Sequence, residues 1–171
     1  MCTTALLLAL SVLGVPSAAT AEPDWLRHYA SAREQGGAEE KPIAVFIGSG
    51  QRGWNQVSRE GQLSAEINHI LAESYVCLYV DADDDDGKEL ASAFGMTDGL
   101  GLVISNASGR LQAFRHQGDL ESVDLAHYLR KYADPEQSVQ FTETNEQQRV
   151  SRYQTASPPM GYLPFGGSRS C

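Results

Sequence analysis

Cysteine is scarce in this chain of 171 residues. It occurs three times, at Cys2, Cys77 and Cys171, and nowhere as Cys-x-x-Cys. Cys77 and Cys171 lie 94 positions apart, which is no disulfide framework. No His or Cys stands near them at the spacing a zinc site uses. Basic residues are also few: 13 Lys and Arg stand against 22 Asp and Glu, for a net charge of −9. Phosphate binding needs clustered Lys and Arg, so this balance excludes a general nucleic-acid partner. There is no P-loop, no dinucleotide fingerprint and no Ser-His-Asp order. The longest apolar run, Ala5 to Val15, falls short of the roughly 20 residues a bilayer span requires.

Charge is missing altogether from residues 1–21. The run from Ala5 to Val15, Pro16 after it and the small residues up to Ala19-Thr20-Ala21 read as a signal peptide cut before Glu22. The mature protein is then exported, to the periplasm or the extracellular space, with no transmembrane segment left. Cys2 leaves with the leader, so Cys77 and Cys171 are the thiols available for a disulfide or a free-thiol role.

The remainder divides into a domain at 22–134 and a tail at 135–171. The periodicity predicts a helix over 24–34, with Trp25, Tyr29 and Ala32 on one face and Gln35-Gly36-Gly37 as its stop. Pro42 to Ile47 is a continuous apolar run suited to a strand buried on both faces. A glycine-rich loop, Gly48 to Gly53, follows. A helix is expected over 61–74, a buried strand over 75–80 and a short helix over 87–94. A hairpin then joins strands 100–105 and 110–116 through Asn106-Ala107-Ser108-Gly109, and a last helix covers 121–133. The order α-β-α-β-α-β-β-α implies a mixed sheet with helices on both faces. The tail has few aliphatics and much Gln, Ser, Thr, Gly and Pro, a composition expected to be disordered and of low complexity.

The acidic run Asp81 to Asp86 invites a calcium reading, but the EF-hand spacing fails. Counted from Asp81, position 6 is Asp86 and position 12 is Ser92. Asp86 is instead expected to cap the following helix, with Glu89 completing a capping box. No metal or cofactor is expected.

This order of elements, with Lys41-Pro42-Ile43-Ala44-Val45-Phe46, Tyr79-Val80-Asp81 and Ala93-Phe94-Gly95-Met96, resembles the thioredoxin-like fold family. It is closest in type to exported bacterial thioredoxin-family proteins without Cys-x-x-Cys. The resemblance implies a three-layer α/β/α sandwich with a mixed central sheet over residues 24–133. It also places the two redox cysteines of that family, aligned from Phe46, on Gln51 and Trp54. The family's cis-proline before the third strand falls in Asp98-Gly99-Leu100-Gly101, which holds no proline. No catalytic residue is carried over.

What remains is a candidate binding loop, Gly50, Gln51, Arg52 and Trp54, at the end of a central strand where open α/β sheets usually bind ligands. Exposed backbone N–H groups, two polar side chains and an indole suit a protein or peptide partner. The alternative is a plain turn with Trp54 packed on the domain. For function, the reading is an exported binding or accessory module without dithiol exchange. A single-thiol redox protein using Cys171 or Cys77 stands as the alternative, and a structural envelope protein tethered by its tail as a third.

Overall fold

A computed structural model describes residues 22–134 and 142–144. The expected leader at 1–21, most of the expected tail and Cys171 lie outside the described residues. The elements are β1 (Trp25–Leu26), α1 (Tyr29–Glu39), β2 (Ile43–Gly48), a 3-10 turn (Gly53–Val57), α2 (Ala65–Ser74), β3 (Val76–Asp81), α3 (Asp85–Ala93), β4 (Gly101–Ser105), β5 (Gln112–Gln117), α4 (Ser122–Lys131) and β6 (Glu143–Thr144).

One six-stranded sheet runs β1-β3-β2-β4-β5-β6. β2 pairs parallel with β3 and antiparallel with β4, and β4 pairs antiparallel with β5. The three central strands are buried along almost their whole length, which their unbroken apolar sequences require. Alternate residues serve opposite faces. Ala44, Phe46, Cys77, Tyr79, Leu102 and Ile104 pack with α2 and α4, while Ile43, Val45, Val76, Leu78, Val80 and Val103 pack with α1 and α3. The architecture is therefore the expected three-layer α/β/α sandwich with a mixed sheet. Across the first face, the Tyr75 hydroxyl donates to the Leu129 carbonyl at 2.5 Å, and Arg130 of α4 pairs with Glu66 of α2.

The first element differs from expectation. Trp25 and Leu26 are not helical; they form an edge strand parallel to β3, with Trp25 opposite Cys77. The helix starts later, at Tyr29, and continues through Gly36 and Gly37. Its packing explains this: a Cβ on Gly36 would stand 2.8 Å from the Ala107 carbonyl oxygen and 3.1 Å from Ile43 Cγ1. Glycine is there for close approach and not as a stop. The chain leaves the helix at Glu40, in a left-handed conformation with φ of 55°.

Other boundaries shift less. Helix α2 begins at Ala65, where Ser64 Oγ accepts from the Ile67 N–H at 3.2 Å. Helix α3 begins at Asp85, so Asp86 lies in its first turn and is not its cap; Asp84 holds that position and its side chain makes no capping bond. β6 sits where only tail was expected. It pairs parallel with β5, and its Glu143 carboxylate accepts from Lys131 and Tyr132 of the last helical turn. Two residues of this length carry no periodicity for a sequence reading to detect.

Candidate functional site

β2 and β3 end side by side, Gly48 opposite Asp81, and β4 begins at the same edge, Gly101 opposite Ile47. The candidate loop rises from this edge. Its backbone is tied down from below. Tyr79 Oη donates toward the Gly50 carbonyl at 2.5 Å and lies 3.1 Å from the Gly48 carbonyl. Asp81 Oδ1 accepts from the Gly50 N–H at 3.1 Å. Gln56 grips Ser49 from both sides, donating to its carbonyl at 3.0 Å and accepting from its N–H at 3.4 Å. Gly53 lies so close over Tyr79 that a Cβ there would meet Oη at 2.1 Å. Burial is the main cause that pushes the Tyr79 phenol up to about 12, with the Asp81 charge adding to it. It stays a neutral donor.

Trp54 packs down. Its ring stacks on Trp25 at 5.0 Å between centroids and meets Tyr79 edge-on at 5.1 Å, and Trp25 meets Phe46 edge-on at 5.1 Å. Arg27 closes the top. Its guanidinium lies 4.5 Å from the Tyr79 ring centre and 5.8 Å from that of Trp54, and it donates to the Gln51 carbonyl at 3.3 Å. Of the four loop residues singled out, Gly50 is therefore bound through its backbone and Trp54 is held half-buried. The Gln51 and Arg52 side chains are exposed at the rim. The supporting residues that sequence reading missed are Trp25, Arg27, Gln56 and Tyr79. Trp25 was concealed by a spacing that mimics a helix face.

Across the edge, residues 95–100 lead into β4. Gln117 Nε2 donates to the Gly95 carbonyl at 3.0 Å, and Leu100 packs against the same core that holds Trp54. No peptide bond among the described residues is cis. Cys77 lies one strand away and is 2 % exposed, with its thiol 3.8 Å from the Leu71 carbonyl. Burial above all pushes that thiol up to about 12, so almost no thiolate forms at neutral pH.

Beneath the loop, on the α1 and α3 side, lies a groove of about 880 Å³. Its lining includes Tyr29, Val80 and Leu90 together with the exposed Asp84, Asp85 and Asp86. Lys88 donates to Asp85 at 3.1 Å, while the Asp84 and Asp86 carboxylates make no ion pair or hydrogen bond among the described residues. No three His, Cys, Asp or Glu side chains among the described residues are placed to hold a metal ion.

A separate polar clasp secures the far end of the loop. The Ser58 and Ser122 hydroxyls donate to Glu60 Oε2 at 2.6 and 2.7 Å, and the Ser122 N–H donates to Oε1 at 3.3 Å. Arg59 binds Asp119 and Glu121 at 2.7 and 2.6 Å. Those hydroxyl hydrogen bonds draw the Glu60 carboxyl down to about 2. The clasp joins the segment after the 3-10 turn to the start of α4, through Ser58 paired with Leu120.

No helix among the described residues is long and apolar enough to cross a membrane. No family model matches the chain, and no curated protein matches it. Solved structures do. The chain is similar to a DsbH oxidoreductase at 19% identity and a TM-score of 0.55, covering 74% of this chain and 94% of that one. It is similar to a thioredoxin from Thermus thermophilus at 19% identity and a TM-score of 0.53, covering 64% and 86%. Strand order, the loop after β2 and these two likenesses agree: the chain has the thioredoxin-like fold.

Proposed function

We propose that this protein is an exported thioredoxin-like module that binds a protein or peptide partner and does not exchange dithiols. The observation that carries the reading is the state of the loop after β2. Gln51 and Trp54 occupy the two positions where the fold's redox chemistry would need thiols, and neither side chain can become a thiolate. Cys77 offers no substitute, being buried beside Trp25. The exposed Gln51 and Arg52, on a loop braced by Tyr79, Gln56 and Arg27, supply a rigid edge with donors pointing outward, as a recognition loop requires. The sequence of residues 1–21 supports export.

An insulin-reduction assay with dithiothreitol tests the first part. The expected rate is that of the buffer blank, and a rate well above it would sink the reading. Binding is tested by cross-linking from Gln51 replaced with a photoreactive residue. A discrete adduct, lost on Arg52→Glu, is the expected result.

The oxidoreductase named among the structural neighbours keeps a second reading in view, in which Cys171 forms mixed disulfides with a partner thiol. Alkylation separates the two. An ordinary slow rate at Cys171, with Cys77 unlabelled until the protein unfolds, favours the binding module. Rapid labelling of Cys171 at low pH favours the thiol.

A further inference from the structure

β6 is short, yet it is held by more than its backbone. Glu143 pairs with Phe114 and Thr144 with Arg115. β5 runs from Gln112 to Gln117, so among the described residues no strand covers its outer edge at His116 and Gln117. Side chains add to the ladder. Thr142 Oγ1 donates to the Gln112 carbonyl at 3.0 Å. The Glu143 carboxylate, 18% exposed, accepts from both Lys131 Nζ and Tyr132 Oη at the end of α4.

Covering a bare edge needs no more than backbone pairing. The seat for Glu143 is more particular, and the domain builds it. The Tyr132 ring is buried and stacks at 5.9 Å on Phe114, which is fully buried. The core therefore aims its hydroxyl. Lys131 Nζ lies 5.1 Å from the same ring and brings a cation to that point. Hydrogen bonds to a charged group are roughly twice as strong as neutral ones. A fixed seat for one carboxylate thus stands beside a strand edge longer than the segment that occupies it. That segment, tied by so few bonds, opens locally at low free energy.

We infer that β5 and the last turn of α4 form a docking edge for an extended partner peptide that carries a carboxylate side chain, and that β6 is the chain's own autoinhibitory stand-in on it. The peptide runs parallel to β5, as β6 does, with a glutamate in the seat of Glu143 and a hydroxyl residue just before it, in the place of Thr142. A segment as long as β5 pairs along all six of its residues, where β6 pairs with two. Linkage holds β6 at a local concentration on the order of 1 mM, so it yields to a segment that makes more bonds and excludes weaker ones. This edge shares no residue with the Gly50–Trp54 loop.

The test is an NMR titration of the full chain with an acetylated and amidated peptide of sequence 139–145, which carries Thr142, Glu143 and Thr144 in their native order. In Glu143→Lys, where β6 loses its seat, the Phe114 and Arg115 amides are expected to shift as peptide is added. The midpoint is expected to lie about tenfold below that of the parent, because a strap closed about nine-tenths of the time weakens a competitor by that factor. Glu143→Gln is expected to move the midpoint the same way by less. Replacing the peptide's glutamate with glutamine is expected to weaken binding about tenfold or more, the weight of a hydrogen-bonded charge. Adding Tyr132→Phe to the Glu143→Lys chain is expected to weaken it about fivefold. No shift at β5, shifts centred on the Gln51–Trp54 loop, equal binding of the glutamine peptide, or equal midpoints for the parent and both Glu143 variants would overturn the inference. So would light scattering that shows the Glu143→Lys chain dimerising without peptide, because the occupant would then be a second copy.

Discussion

Two turns leave the same edge of the sheet a few ångströms apart and have been built in opposite ways. The one after β2 spends its polar capacity on itself. The carbonyls of Gly48 and Gly50 go to Tyr79, both polar groups of Ser49 go to Gln56, and Trp54 is laid over Trp25. The one after β3 spends little. Asp81 serves the backbone of Gly50 and Asp83, but the exposed Asp84 and Asp86 carboxylates have no partner among the described residues. The backbone of the loop after β2 is thus satisfied within the fold, with only the Gln51 and Arg52 side chains left at the rim, while the carboxylates of the neighbouring turn go largely unpaired among the described residues.

The largest effect that tests this contrast is expected from Trp54→Ala. Losing a half-buried indole with two aromatic partners is expected to cost about 2–3 kcal/mol in chemical unfolding. It should also shift the emission of Trp25, which loses its stacked neighbour. A cost near zero would mean that the loop is not part of the core. Tyr79→Phe comes next. It leaves the ring in place and removes one donor from the Gly50 and Gly48 carbonyls, which keep the Gly53 and Ala82 N–H groups, for an expected loss of about 1 kcal/mol and faster exchange of the amides around Gly50.

These two residues also show what could be read in advance. The central strands were legible because their residues are apolar without interruption, and their order yielded the sandwich. The terminal pieces were not. Trp25, Tyr29 and Ala32 fall at helical spacing, yet Trp25 belongs to a two-residue strand held by its pairing with Cys77 and Leu78 of β3 and by its ring contacts with Trp54 and Phe46. Gly36 and Gly37 look like a stop, but Gly36 is small because the Ala107 carbonyl passes over it. In the candidate loop, the residues that are visible as a motif are Gly50 to Trp54. Those that hold the loop come from 7 to 29 positions away from the groups they bind, as Gln56, Arg27 and Tyr79 do. A contact between distant segments leaves no local pattern.

Glu60 offers a finer test, through pH. Its carboxyl is held near 2 in the fold against an ordinary value of 4.5. A depressed folded-state value stabilises the fold above the unfolded value, and that contribution is lost as pH falls from about 4.5 toward 2. Glu60→Gln is therefore expected to be less stable than the parent at pH 7, with the gap closing across that acid range. A gap that stays constant with pH would show that the clasp does not act through its charge. The smallest effect belongs to the open turn. Asp84→Asn with Asp86→Asn is expected to change stability by no more than about 1 kcal/mol, the weight of charges near a helix start. A larger loss would place these carboxylates in the fold's own architecture.

The two-residue outer strands have a consequence for how any partner can be met. Among the described residues, β1 and β6 each expose so little free backbone that an incoming peptide strand gains only a bond or two by extending the sheet. Strand addition, which draws its affinity from a long row of main-chain hydrogen bonds and is indifferent to much of the side-chain sequence, is thereby disfavoured. In the proposed binding role, contact with a partner would then fall to side chains at the rim, and the short outer strands give neighbouring copies little to propagate from.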